Sequence, residues 1–288
     1  MTIIENEYLR VSIRSQGAEL TSIYNKTTGV EQLWQADPDV WAWHAPNLFP
    51  IVGGLVNDEL HADGRVFKLP RHGFTRQSTF LVAEVSPLQA TLELPYSNKT
   101  LEVYPYKFDF QIIYTLIDSA LRVTYKVINL DDKTIYFSVG GHPAFSVPFH
   151  EGEQYEDYYL EFETAEQLST HMLSAAGYFT GETREVPLDG NKLLLTKDLF
   201  SQDALVFKNI KSRMVTIKST KHDKSLSVEY PHFEHLGIWA KPGASFVCIE
   251  PWLGYADNDG ASVDISKKEA IHKLKHGHTF EAAFYISV

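Results

Sequence analysis

Alternation with a period of two governs this chain. Leu9, Val11 and Ile13 alternate with Arg10, Ser12 and Arg14, and Leu121, Val123, Tyr125 and Val127 alternate with Arg122, Thr124 and Lys126. The same rhythm runs through Leu226, Val228 and Tyr230 and through Phe280, Ala282, Phe284 and Ile286. A strand sends successive side chains to opposite faces, so such runs bury one face and wet the other, the habit of antiparallel sheets. Turn-forming residues punctuate the runs at Asn25 to Gly29, Asp63-Gly64, Asp131-Asp132, Asp189-Gly190 and Asn258 to Gly260.

Helical signal is sparse. A short helix is expected from Asp37 to Trp43, with Asp37 as its cap and Pro38 in the first turn. A second is expected from Thr164 to about Ala175. Many strands, frequent turns and no low-complexity linker imply an all-β, single-domain sandwich over residues 1–288. A chain of 288 residues can bury a core without disulfide or metal staples.

Charge and cysteine content narrow the function classes. The 26 Lys and Arg against 37 Asp and Glu leave a formal net charge of −11. Nucleic acid and anionic membrane, which both require a positive surface, are therefore not expected as partners. Cys248 is the sole cysteine, so no intrachain disulfide forms and a cytoplasmic location is expected. The first residues, MTIIENEYLRVSI, do not read as a signal peptide, and LFPIVGGLV is too short to span a bilayer.

Four segments break the alternation and gather residues suited to chemistry. Residues 44–60, HAPNLFPIVGGLVNDEL, hold two prolines and a glycine pair that a central strand does not accommodate. A loop this apolar is folded over either the core or a ligand. Residues 69–76, LPRHGFTR, place Arg71, His72 and Arg76 beside Phe74. They offer donors for hydroxyl, carboxylate or phosphate oxygens, although spacing alone equally describes an exposed basic turn. In VGGHPAF, Gly140 and Gly141 precede His142, so a ligand is expected to approach the backbone closely there. In VCIEPWLGYAD, Glu250 ends the apolar run Phe246 to Ile249, where a carboxylate is costly unless it is paired or faces a cleft. His142 and Glu250 share a setting: each ends an apolar run and each precedes a proline, which biases it toward extended backbone.

Other features carry less. His232 with His235, and His272 with His276 and His278, match no zinc spacing, and no metal is expected. Asp257 to Gly260 lacks the ligand series of a calcium loop. No phosphate-binding glycine loop appears. Proton transfer between a His and a Glu remains.

Together the four segments resemble the aldose 1-epimerase (galactose mutarotase-like) family, and within it the LacX-like branch. NLFPIVGGLVNDEL, LPRHGFTR, GGHPAFSVPF and CIEPWLGYAD stand in the family's order, and the likeness covers nearly the whole chain. The resemblance implies a β-supersandwich with a small-molecule sugar in a cleft on one sheet and no cofactor. It implies His142 as general acid, Glu250 as general base, and His72 and Asp203 as substrate contacts. Arg76, in HGF-x-R, matches the sugar-phosphate branch. Gly53-Gly54-Leu55 stands where galactose mutarotases carry an early Arg, so galactose is not implied as the substrate.

Aldose 1-epimerisation of a free hexose or related sugar is the leading expectation. The alternatives are a hexose-6-phosphate mutarotase, with Arg71 and Arg76 holding phosphate, or a non-catalytic sugar-binding or sensor protein. A monomer or homodimer is expected. Mutual attraction is expected to raise the His142 pKa and lower that of Glu250. Phe74 and Trp252 are expected to stack on the apolar face of a sugar.

Overall fold

The alternating runs form the ladders they imply. In a computed structural model describing residues 1–260 and 262–288, every ladder is antiparallel. Phe108–Ile117 and Ala120–Asn129 pair over their full length, from Phe108 opposite Asn129 to Ile117 opposite Ala120. Along both, buried and half-exposed residues alternate almost without fault. They lie within a nine-stranded sheet that ends at Lys192–Leu194 on one edge and Leu81–Val85 on the other. The carboxyl-terminal strand Thr279–Ser287 inserts between Ala120–Asn129 and Ser225–Glu229.

A second sheet follows the order Leu205–Phe207, His235–Trp239, Phe246–Leu253, Val139–Gly141, Asn47–Leu48, with Ala144–Ser146 also paired to Phe246–Leu253. Side chains from the two sheets and from the amino-terminal strands Leu9–Ile13 and Leu20–Asn25 share one core running from Ile4 to Ile286. Phe49 lies at its centre, stacked on Phe110 at 4.3 Å and edge-on to Phe108 at 5.2 Å. Such contacts add to the area these rings bury. Buried phenols are satisfied across the core. Tyr125 donates to Asn47 Oδ1 at 2.8 Å, Tyr114 donates to the Ala18 carbonyl at 2.7 Å, and the Asn47 amide donates to Gly17 and Ala18. Asn47 pairs with Gly141, so this network fixes the backbone one residue before His142.

Both expected helices are replaced. Residues 38–40 make a single turn, in which the Asp37 carbonyl accepts from Val40 and Trp41 and its side chain accepts from Asp39. The cap is present, but seven residues are too few to sustain a helix without tertiary support. Trp41 and Trp43 instead reach different partners. The stretch from 164 to 175 becomes the strand Leu168–Leu173, hairpinned to Phe179–Val186. Leu168 and Thr170 are buried and Ser169 is exposed, a period of two, and the Thr170 hydroxyl accepts the Val206 N–H at 2.8 Å. That bond ties the hairpin to the edge of the second sheet. No helix among the described residues is long and apolar enough to cross a membrane.

Candidate active site

The strand Phe246–Leu253 is buried along its whole length, so its site residues are set by which way each side chain leaves the pleat. Cys248, Glu250 and Trp252 leave on one face, opposite Trp239, Gly237 and His235 of the neighbouring strand. Gly237 faces Glu250, and the space it leaves is filled by the Trp252 indole: a Cβ there would lie 2.5 Å from Cζ2. Gly140 serves the same ring from the other side, with a Cβ falling 2.6 Å from Trp252 Cδ1. A Cβ on Gly141 would press on Tyr125 Oη at 3.0 Å and on Phe284 at 3.1 Å. The glycine pair before His142 therefore makes room for neighbouring aromatics, not for close approach of a ligand to the backbone.

His142 and Glu250, the two pre-proline residues, meet. Nε2 of His142 lies 3.3 Å from Oε2 of Glu250. The His142 amide donates to the Pro46 carbonyl at 3.1 Å, and its ring stacks on Trp41 at 5.1 Å and meets Trp239 edge-on at 5.9 Å. Glu250 is 1% exposed. His142 Nδ1, Glu250 Oε2 and Trp252 Nε1 are buried without a hydrogen-bond partner in the chain. Buried polar atoms are nearly always satisfied, so three orphans in one place mark a ligand site.

Attraction does not set the protonation of this pair; desolvation does. Burial pushes Glu250 well above the ordinary carboxylate range, aided by the Asp203 charge and opposed by the Trp252 indole. Burial also brings His142 down to about 3, with the Arg76 charge acting in the same direction. This reverses both expected directions, because each group loses more hydration than its partner returns. The pair nevertheless holds one proton in either arrangement: neutral imidazole with carboxylic acid, or imidazolium with carboxylate.

A cleft of about 250 Å³ opens over the pair. Seven of the eight site residues expected from sequence line it: Arg71, His72, Arg76, His142, Asp203, Glu250 and Trp252. His72 has a left-handed backbone, φ 65°, and its Nδ1 accepts the Gly53 N–H at 3.1 Å, which leaves the ring proton on Nε2. Burial and then His142, Arg76 and Arg71 hold His72 well below its ordinary pKa, so it stays neutral. Asp203 is also left-handed, φ 82°, with Oδ1 accepting the Ala204 N–H at 2.7 Å. Arg76 lies over the Trp43 ring at 5.6 Å, and its buried Nε has no acceptor in the chain. Arg71 donates to the Ala176 carbonyl at 2.5 Å, which draws the tip of the Leu168–Leu173 hairpin over the cleft.

Phe74 is the exception. Its ring packs within about 6.3 Å of Phe49, Tyr104 and Phe108 and belongs to the core, not the cleft. It follows Gly73, whose left-handed turn sends His72 and Phe74 to opposite sides of the segment. Residues 44–60 fold mainly over the core, through Phe49, Ile51 and Leu55, and give Gly53 to the cleft wall. Sequence reasoning missed Trp41, Trp239, Leu173 and Phe179, which also line the cleft. The two tryptophans beside His44 were a usable signal for Trp41; Phe179 had none, since it lies beyond the stretch 164–175 expected as a helix and outside the four segments that break the alternation.

Among the described residues, one group has donors close enough to hold a metal: His142, Cys248 and Glu250, whose ligand atoms lie within 4.8 Å of one another. The histidines discounted in sequence form no such group. His235 is buried against Tyr255 at 4.7 Å, with Nδ1 accepting the Asn209 N–H, and His272 stacks on Phe137.

This geometry has counterparts among known proteins. The sequence profile of the aldose 1-epimerase family matches residues 1–263. The chain is 37% identical to the chromosomal protein LacX of Lactococcus lactis subsp. lactis, over all of this chain and 99% of that one. A galactose mutarotase related enzyme from Lactobacillus acidophilus superposes with a TM-score of 0.94 at 35% identity, covering 99% of this chain and 96% of the other. A galactose mutarotase-like protein from Lactobacillus casei gives the same TM-score at 30% identity, covering 100% and 99%. The nearly all-β architecture is thus the galactose mutarotase-like fold, and the chain belongs to the aldose 1-epimerase family.

Proposed function

We propose that this protein is an aldose 1-epimerase that interconverts the α and β anomers of a hexose or related aldose. Family membership supports an isomerase of the mutarotase type. The observation that carries the mechanism is the 3.3 Å approach of His142 Nε2 to Glu250 Oε2 beneath a small cleft.

Anomer exchange needs one proton taken from the C1 hydroxyl and one delivered to the ring oxygen. The one proton the pair holds passes from Glu250 to His142 as the sugar docks; Glu250 as carboxylate then takes the first, and His142 as imidazolium gives the second. The bond from C1 to the ring oxygen breaks, the open aldehyde turns about C1–C2, and the reverse transfers close the other anomer. Ring opening leaves imidazole and carboxylic acid, the forms burial favours at these two residues. A low-pKa imidazolium is a strong acid and a high-pKa carboxylate a strong base, so the same burial drives both transfers toward the open chain. His72 Nε2–H, Arg71 and Arg76 are the donors for sugar oxygens, and Trp252 and Trp41 supply the flat walls. No step calls for a cofactor.

One observation favours a phosphorylated substrate as the second reading. Arg76 is a half-buried guanidinium whose buried Nε has no acceptor in the chain, and its planar fork matches the paired oxygens of a phosphate better than a single hydroxyl. Anomer-exchange NMR over free and phosphorylated aldoses tests activity and substrate together. Exchange of glucose accelerated over that of glucose 6-phosphate supports the free sugar, and the reverse supports the phosphate. Saturable binding with spontaneous exchange rates throughout would leave a sugar-binding protein and end the enzymatic reading.

A further inference from the structure

Cys248 is the buried group that the proton chemistry leaves unused. It stands two residues before Glu250 on Phe246–Leu253, so both side chains leave the same face of the strand. Its sulfur, a ring nitrogen of His142 and a carboxylate oxygen of Glu250 lie within 4.8 Å of one another. A tetrahedral ion with bonds of about 2.0–2.3 Å holds its donors roughly 3.3–3.7 Å apart. The 3.3 Å between His142 Nε2 and Glu250 Oε2 is already such an edge. The sulfur has at most about 1.5 Å to close, within reach of a side-chain adjustment.

The donor set fits by charge and softness as well. A thiolate and a carboxylate carry two negative charges, so a divalent ion makes a neutral assembly, the form a buried site tolerates. Sulfur and imidazole select zinc-class ions over magnesium or calcium. Oε2 of Glu250, in a residue 1% exposed, makes no well-formed hydrogen bond in the chain, its approach to His142 Nε2 being 3.3 Å, and keeps lone pairs to turn to an ion. His142 and Glu250 also line the cleft, which leaves a fourth position for water. Binding releases the Cys248 and Glu250 protons to solvent, and nothing is oxidised or reduced.

We infer that His142, Cys248 and Glu250 bind one zinc-class divalent cation and that the bound ion blocks sugar turnover by engaging the acid and the base. The blocking half rests on the proposed mutarotase reading; the binding half does not.

Cobalt(II) is the probe, because Cys248 is the only thiol in the chain and any thiolate-to-cobalt absorption must come from it. The full-length protein should develop that near-ultraviolet band with one equivalent of cobalt(II) and lose it when zinc is added. Cys248→Ala should show no band, bind zinc more weakly by more than the roughly 10–100-fold that loss of an outer-shell partner costs, and keep a sugar exchange that zinc no longer suppresses at concentrations that saturate the wild type. Cys248→Ser, checked for an unchanged melting temperature, guards against a packing defect in the first variant. Wild-type protein that binds no cobalt, binds it without the band, or keeps zinc inhibition after Cys248→Ala overturns the inference. A protein inactive on every sugar would end the mutarotase reading, yet the spectrum would still decide the metal site.

Discussion

The two large sheets are built from the same kinds of residue and do different work. In the nine-stranded sheet, Phe108–Ile117 and Ala120–Asn129 bury every second side chain and expose the rest. In the second sheet, Phe246–Leu253 is buried on both faces and places a carboxylic acid inside. The first spends its buried positions on aromatic and aliphatic packing. The second gives some of them to Glu250, to Gly140 and Gly237, and to a tryptophan with an unpartnered N–H. Stability should therefore reside in the first sheet and chemistry in the second, so substitutions in the two should separate melting temperature from turnover.

The largest effect belongs to the second sheet. Glu250→Gln or His142→Asn should reduce anomer exchange by at least about 10²–10⁴-fold, the usual worth of a positioned acid or base. Far-ultraviolet circular dichroism should show an unchanged fold. In contrast, Phe110→Ala in the nine-stranded sheet should cost about 3–5 kcal/mol in denaturant unfolding, by loss of burial and by the cavity left beside Phe49. Its exchange rate per folded molecule should stay near that of the wild type. An inactive yet folded Phe110→Ala would erase the division.

Gly140→Ala should affect both properties. Its methyl would press on Trp252 Cδ1 at 2.6 Å and on the Pro251 carbonyl at 3.0 Å, so about 1–3 kcal/mol of stability should be lost through overpacking. Exchange should fall with it as the indole is displaced from Glu250.

Stability against pH sharpens the contrast further. Glu250 has its folded pKa raised well above 4.5, so the folded chain keeps a proton that the unfolded chain releases. Its contribution to stability is full below 4.5 and drains as pH rises toward the folded value. Glu250→Gln removes that drain, and the variant should gain on wild type as pH rises from about 5 to 8. His142 has the opposite sign. Its folded pKa, about 3 against an ordinary 6.5, makes its contribution full above 6.5 and lost as pH falls toward 3. His142→Asn should flatten the acid side of the melting-temperature profile, whereas a profile unchanged in both variants would mean the pair is not held neutral.

The smallest effect is at the hairpin. Gly177 has φ 76°, and a Cβ there would overlap the Arg71 guanidinium. Gly177→Ala should loosen the Arg71 bond to Ala176 and raise KM several-fold while kcat changes little. Equal loss in both would show that Arg71 reaches the reacting atoms.

How much of this was legible follows the same division. The alternation from Leu121 to Val127 identified its sheet because one-sided burial leaves a period in the sequence. The site left no period. It was legible only as interruptions, His142 and Glu250 before prolines and His72 beside Gly73, and as the family resemblance those interruptions carry. Phe74 and the hairpin from Leu168 were misread for a common reason. Which side of a turn a ring takes, and whether a short polar stretch becomes helix or strand, are decided by tertiary partners: Phe49 for Phe74, and Val206 for Thr170. The pKa directions were misread because sequence shows that two charges can attract but not how deeply both are buried.

The central claim is that His142 and Glu250 act as one unit sharing a single proton. Exchange rates for wild type, His142→Asn, Glu250→Gln and the double variant test it most directly. If the pair is one unit, the double variant should lose no more than either single one, since each alone already stops both transfers. Losses that multiply, or a single variant that keeps wild-type exchange, would contradict the account.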